Sequence, residues 1–183
     1  MNMTRNAARI AALGAACALG SLGLSPASAA PSSALVECTG QSVSQYSPPL
    51  TNTPQATTIV NQGLLGLAAS PGLCTAVGTT VLSAQYSETI NNPSQSCNTT
   101  PSSGSGNRVF TWDNGQTSTF AYTSTITVIN GTSASVRTGT ITAGRFSGHQ
   151  AEQITFFPTL DPTACATTGV ATASSQTTLT IQS

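Results

Sequence analysis

The chain of 183 residues contains no lysine, one histidine (His149) and one tryptophan (Trp112), and only 5% of its residues are charged. Without a basic patch there is nothing to neutralise phosphates, so nucleic acid and anionic membrane are poor partners. A lone histidine gives neither a zinc cluster nor a Ser-His relay an obvious base, so a metal or acid/base role for His149, three residues before Glu152, would need partners from elsewhere. The nucleophile-elbow pattern G-x-S-x-G is missing, as are phosphate loops, dinucleotide fingerprints and calcium loops. A glycosidase needs two flanking carboxylates, and five acidic residues leave that open without supporting it. No catalytic residue, metal ligand or cofactor is therefore assigned, and the chain reads as a non-enzyme.

Long apolar runs are also scarce. Arg5 and Arg9 precede an uncharged stretch from Ile10 to Leu24 and then PASAAP, the pattern of a secretory signal peptide. That stretch is shorter than the roughly 20 residues that span a bilayer. Ala27 and Ala29 supply an A-x-A site, so residues 1–29 are expected to be removed and 30–183 to form one secreted domain. Cys17 would leave with the signal; the residues before it, Gly14-Ala15-Ala16, lack the leucine of a lipidation site. The remainder keeps Arg108, Arg137 and Arg145 against Glu37, Glu88, Asp113, Glu152 and Asp161, a net charge of −2. The predicted location is extracellular, with cell-wall association open.

Cys38, Cys74, Cys97 and Cys165 form an even set in an oxidising compartment, which predicts two disulfides in one of three connectivities. Cys74 and Cys165 both follow proline-containing loops while Cys38 opens a strand, so the expected pairs are Cys38–Cys97 and Cys74–Cys165.

From Val109 onward the chain alternates with period two and is rich in Thr, Val, Ile and aromatics. Between Phe120 and Ile129 the even positions carry Phe120, Tyr122, Ser124, Ile126 and Val128, whereas the odd positions from 121 to 127 are alanine and threonine. That is a half-buried antiparallel strand. A three-residue turn, Asp113-Asn114-Gly115, would pair Phe110 with Ser118 and gather Phe110, Trp112, Phe120 and Tyr122 on one face. The same parity argument at Ile129-Asn130-Gly131 sets Ser124 opposite Val136 and turns Arg137 to solvent. Further strands are expected at 36–46, 55–61, 79–86, 133–141, 150–157 and 171–181. About eight short strands favour an immunoglobulin-like antiparallel β-sandwich over a closed barrel.

Two segments break the alternation. Residues 91–107 read as a long polar loop held by Cys97. Residues 62–73, QGLLGLAASPGL, read as a loop or single helical turn at the end of the sandwich, with Leu64, Leu65 and Leu67 as a possible binding surface. Trp112 reads as core or core-edge packing, with an exposed stacking role at the hairpin tip as the sharper alternative.

The order of ECTGQSVSQYSPPLTNTP, FTWDNGQTSTF, TGTITAGRFSGHQ, PTLDPTACATTGV and TTLTI resembles a group of small, uncharacterised, signal-bearing secreted proteins of actinobacteria, over about 37–181. The resemblance implies an all-β secreted domain and transfers no site residue. The functional expectation is a secreted non-enzymatic protein binding an extracellular protein or cell-surface polymer, with its oligomeric state open. A protease inhibitor presenting SPGLCTAV as a rigid loop is the first alternative, and a hydrolase with an unrecognised site the second.

Overall fold

A computed structural model describes residues 34–99 and 103–183. The expected signal peptide at 1–29, its cleavage site and Cys17 lie outside the described residues. The strands are β1 (Ala34–Leu50), β2 (Gln55–Gly66), β3 (Leu73–Ala76), β4 (Ser83–Gln95), β5 (Gly104–Trp112), β6 (Thr117–Ile129), β7 (Thr132–Gly144), β8 (Gln150–Phe156) and β9 (Val170–Gln182), with a one-turn helix α1 (Pro162–Ala166) before β9. Asp161 caps that helix by accepting from the Thr163 amide at 2.8 Å.

All pairings are antiparallel, in the order β2-β4-β5-β6-β7-β8-β9-β1-β3, and β1 also pairs with β2. That last pairing closes the sheet into an eight-stranded barrel, which corrects the expected sandwich. A sandwich divides its strands between two sheets, whereas here every strand of the ring pairs with a neighbour on each side. Closure depends on β1, whose 17 residues meet β9 on one side. On its other side β1 meets β3 over Val36–Thr39 and β2 over Gly40–Ser47. The weak point is the β4–β5 seam, where only Ala84↔Trp112 and Gln85↔Thr111 pair.

The disulfides are Cys38–Cys74 and Cys97–Cys165, not the expected pairs. Cys38 and Cys74 are direct register partners in β1 and β3; β3 was not among the expected strands, and of the loop expected at 62–73, residues 62–66 continue β2 instead. Cys97 and Cys165 both hang from the β1–β2 turn: the Cys97 amide donates to the Thr51 carbonyl and the Asn52 amide to the Cys165 carbonyl. The polar stretch 91–107 is shorter as a loop than expected, because β4 runs on to Gln95 and β5 starts at Gly104; residues 100–102 lie outside the described set.

The first hairpin has the expected register. Phe110 faces Ser118, Thr111 faces Thr117, and Gly115 takes a φ of 78°. Trp112 is 2% exposed and its indole Nε1–H donates to the Ser118 hydroxyl at 2.8 Å. The second hairpin departs from expectation. Asn130 (φ 49°) and Gly131 (φ 82°) alone form the loop, Ile129 pairs with Thr132, and Ser124 faces Arg137. Both central residues with positive φ make this the tight turn that matches strand twist. The one-residue difference turns Ser135, Arg137 and Ile141 inward.

Inside, two apolar clusters stand at opposite ends. The larger joins Val36, Leu65, Phe110, Trp112, Phe120, Ile141, Leu179 and Ile181. The smaller joins Leu50, Cys165 and Val170, packed by Tyr46, Cys97 and Leu160. Between them the interior is polar.

Candidate functional site

The strand alternation that sends Phe110 and Trp112 inward also sends Arg108 inward, two residues earlier on β5. The Arg108 side chain is 1% exposed and forms a salt bridge through Nη2 to Glu88 on β4. Its Nη1 donates to Gln153 Oε1 at 2.5 Å, and its guanidinium lies 4.0 Å from the Tyr86 ring centroid. Gln153 in turn donates to the Thr177 hydroxyl, and the Tyr86 hydroxyl donates to Ser42. Glu88 therefore bridges the β4–β5 seam by side chains where the backbone ladder has parted.

The second carboxylate oxygen of Glu88 accepts from the Tyr122 hydroxyl at 2.7 Å. Room for that ring comes from its register partner Gly106, on which a Cβ would stand 2.8 Å from the Tyr122 hydroxyl. Burial alone would raise the Glu88 carboxyl, but the Arg108 charge and hydrogen bond, with smaller help from Tyr122 and Arg137, outweigh it and hold the group below its ordinary range. Tyr122 moves the other way: burial, then its bond to Glu88 and the carboxylate charge, push its hydroxyl up.

Arg137 completes the cluster from β7, with its guanidinium carbon 5.4 Å from the Tyr122 ring centroid. It makes no hydrogen bond or ion pair among the described residues, and its Nε is buried without an acceptor. Burial, followed by the neighbouring Arg108 charge, lowers its pKa, though an arginine stays charged at neutral pH. Desolvation without a counter-charge is costly.

Ser42, Tyr86, Arg108 and Arg137 from this cluster line a cavity of about 190 Å³, room for roughly six waters at about 30 Å³ each. Its polar wall adds Ser44, Asn61, Ser124, Ser135 and Ser175, and its apolar wall is Ile59, Ile90, Ile126 and Phe157. Tyr46, Gln95, Phe157 and Pro158 are shared with a second hollow of about 580 Å³ beside the Cys97–Cys165 disulfide. The arrangement can hold a small polar molecule by charge, hydroxyl and amide groups.

The residues singled out from sequence lie elsewhere. Trp112 is in the apolar cluster, edge-on to Phe146 at 5.2 Å. Leu65 is fully buried, while Leu64 and Leu67 are exposed on the outer surface. A shallow outer hollow with Val43, Ala68, Ala69 and Val109 includes Leu64. His149 has its Nδ1 3.0 Å from the Gln182 carbonyl oxygen. No group of three or more metal-ligating side chains occurs among the described residues. Arg108 and Glu88 were legible by parity with Phe110 and Tyr86; Arg137 was not, because its facing depends on the length of the preceding turn.

No family model, curated protein or solved structure matches this chain.

Proposed function

We propose that the protein is an exported, non-enzymatic binding protein whose barrel lumen holds one small polar ligand. Two intramolecular disulfides are consistent with an extracellular location. Eight strands enclose an interior just wide enough to be filled by side chains or to hold one small molecule. One observation carries the reading: half of this interior is filled by aliphatic and aromatic groups, while the other half keeps an open cavity walled by two arginines and a ring of hydroxyls. A chain selected for stability alone gains more from filling that space with apolar groups than from burying charge.

The lumen supports a small ligand better than an external protein or polymer. Half of the segment considered as an inhibitory loop, 70–77, is taken up by β3, which pairs with β1 and is clamped by Cys38–Cys74.

Native mass spectrometry and thermal-shift screening against small polar metabolites test the proposal. The expected result is a one-to-one complex that is lost in Ser175→Phe and Ile126→Trp, substitutions that fill the cavity. Ligands that bind both filled variants as well as the parent protein would refute it.

A further inference from the structure

We infer that the lumen ligand is a small monocarboxylate with a compact apolar body, its carboxylate seated on the guanidinium of Arg137. The inference rests on the reading of the lumen as the binding site and names the chemistry that the site selects.

Charge is the first argument. The cavity wall carries two charged groups, Arg108 and Arg137, and the carboxylate nearest to them, Glu88, pairs with Arg108 from outside that wall. Glu88 is committed to Arg108 and Tyr122 by both carboxylate oxygens. Arg108 is likewise committed, to Glu88 and Gln153. One positive charge is left over, and it belongs to Arg137, which has no acceptor among the described residues. Arg137 is half-buried, with its Nε shut off from both water and any acceptor; a partly desolvated cation held this way is costly, and a monoanion placed beside it lowers that cost.

Geometry is the second. A guanidinium presents donors in a planar fork that matches the two oxygens of a carboxylate. Arg137 faces the cavity from β7 opposite Ser124, whose hydroxyl is hydrogen-bonded to Ser135 at 2.9 Å. Those two hydroxyls lie on the same wall, and whichever accepts within the pair keeps its own O–H to donate to a bound oxygen as a secondary contact.

Size and polarity are the third. The remaining wall is apolar, from Ile59, Ile90, Ile126 and Phe157. A volume of about 190 Å³ accepts an aromatic or short aliphatic acid. A second carboxylate would find no second free cation, so dicarboxylates are disfavoured.

The test uses benzoate and its neutral isostere benzamide, titrated into the protein by calorimetry, with Ser175→Phe as the control for location. Benzoate is expected to bind about tenfold or more tightly than benzamide, because hydrogen bonds to a charged partner are worth about 1.5–3 kcal/mol. Arg137→Met should remove that preference with an unchanged or higher thermal midpoint, and Arg137→Lys should restore part of it. Equal binding of benzoate and benzamide, both abolished by Ser175→Phe, would overturn the carboxylate assignment and leave the lumen reading standing. Benzoate binding that survives Ser175→Phe, or no binding of either compound at millimolar concentration, would overturn both.

Discussion

Along the inward face of β5, Trp112 and Phe110 stand in a dry aromatic layer, and two residues away Arg108 stands in a polar cavity. The same division recurs on β6 between Phe120 and Ser124, and on β7 between Ile141 and Arg137. In the dry half the rings of Phe110 and Phe120 stack at 6.2 Å, Tyr86 meets Phe110 edge-on at 5.7 Å, and both phenylalanines are fully buried. In the polar half two cations share one carboxylate. One half stabilises the barrel by burying apolar surface; the other carries the cost of desolvated charge, offset only where the charges are paired.

The sharpest way to break the contrast is to empty the dry half. Phe120→Ala should cost about 3–5 kcal/mol, the range for removing a buried phenylalanine ring, read as a fall in the urea midpoint. A loss below 1 kcal/mol would mean that the aromatic layer is not the stabilising half.

In the polar half, breaking the pair should also be expensive, for a different reason. Arg108→Met leaves Glu88 and Gln153 without their partner and should cost about 3 kcal/mol. The double variant Arg108→Met/Glu88→Gln should recover much of that loss in a double-mutant cycle. Additive losses would show that the two side chains are not coupled.

Acid provides a finer cut. The Glu88 carboxyl is held below its ordinary value of 4.5 in the folded protein, so the stability it contributes is present above about pH 4.5 and is lost as pH falls through the lowered folded value. Urea midpoints measured from pH 7 to pH 2 should decline in that window, and the decline should shrink in Glu88→Gln. An identical decline in the variant would assign the acid sensitivity to other groups.

The smallest effects are the most discriminating. Gly131→Ala should cost about 1 kcal/mol, because an L side chain is disfavoured at φ 82°, and it probes the turn that points Arg137 inward. Arg137→Met should do the reverse of Arg108→Met and leave the thermal midpoint unchanged or raised, since it removes a desolvated cation with no partner. A marked loss in Arg137→Met would mean that this arginine holds the fold together.

The β5–β6 hairpin was legible because local signals agreed: Gly115 supplied the left-handed residue, and alternation put Phe110, Trp112, Phe120 and Tyr122 on one face. The β6–β7 hairpin misled for an instructive reason. A dry interior favours facing Ala134 and Val136 inward, but at this level of the barrel the interior is polar, and Ser135 and Arg137 occupy it instead. Apolar parity is a sound guide to register only where the space being filled is apolar. Arg108 shared the parity of Phe110 throughout, so a cation on a core face was the overlooked sign of the cavity.

The amino-acid order by itself determined the all-β character, the threonine-rich exterior, most strand positions and the first turn, because each depends on neighbours two to five residues apart. Barrel closure, both disulfide pairs and the meeting of Glu88, Arg108, Tyr122 and Arg137 were decided only by tertiary structure. Each joins segments far apart in the chain, such as β1 with β9 or Cys97 with Cys165. A period of two states which face a residue takes, and is silent about which strand will lie beside it.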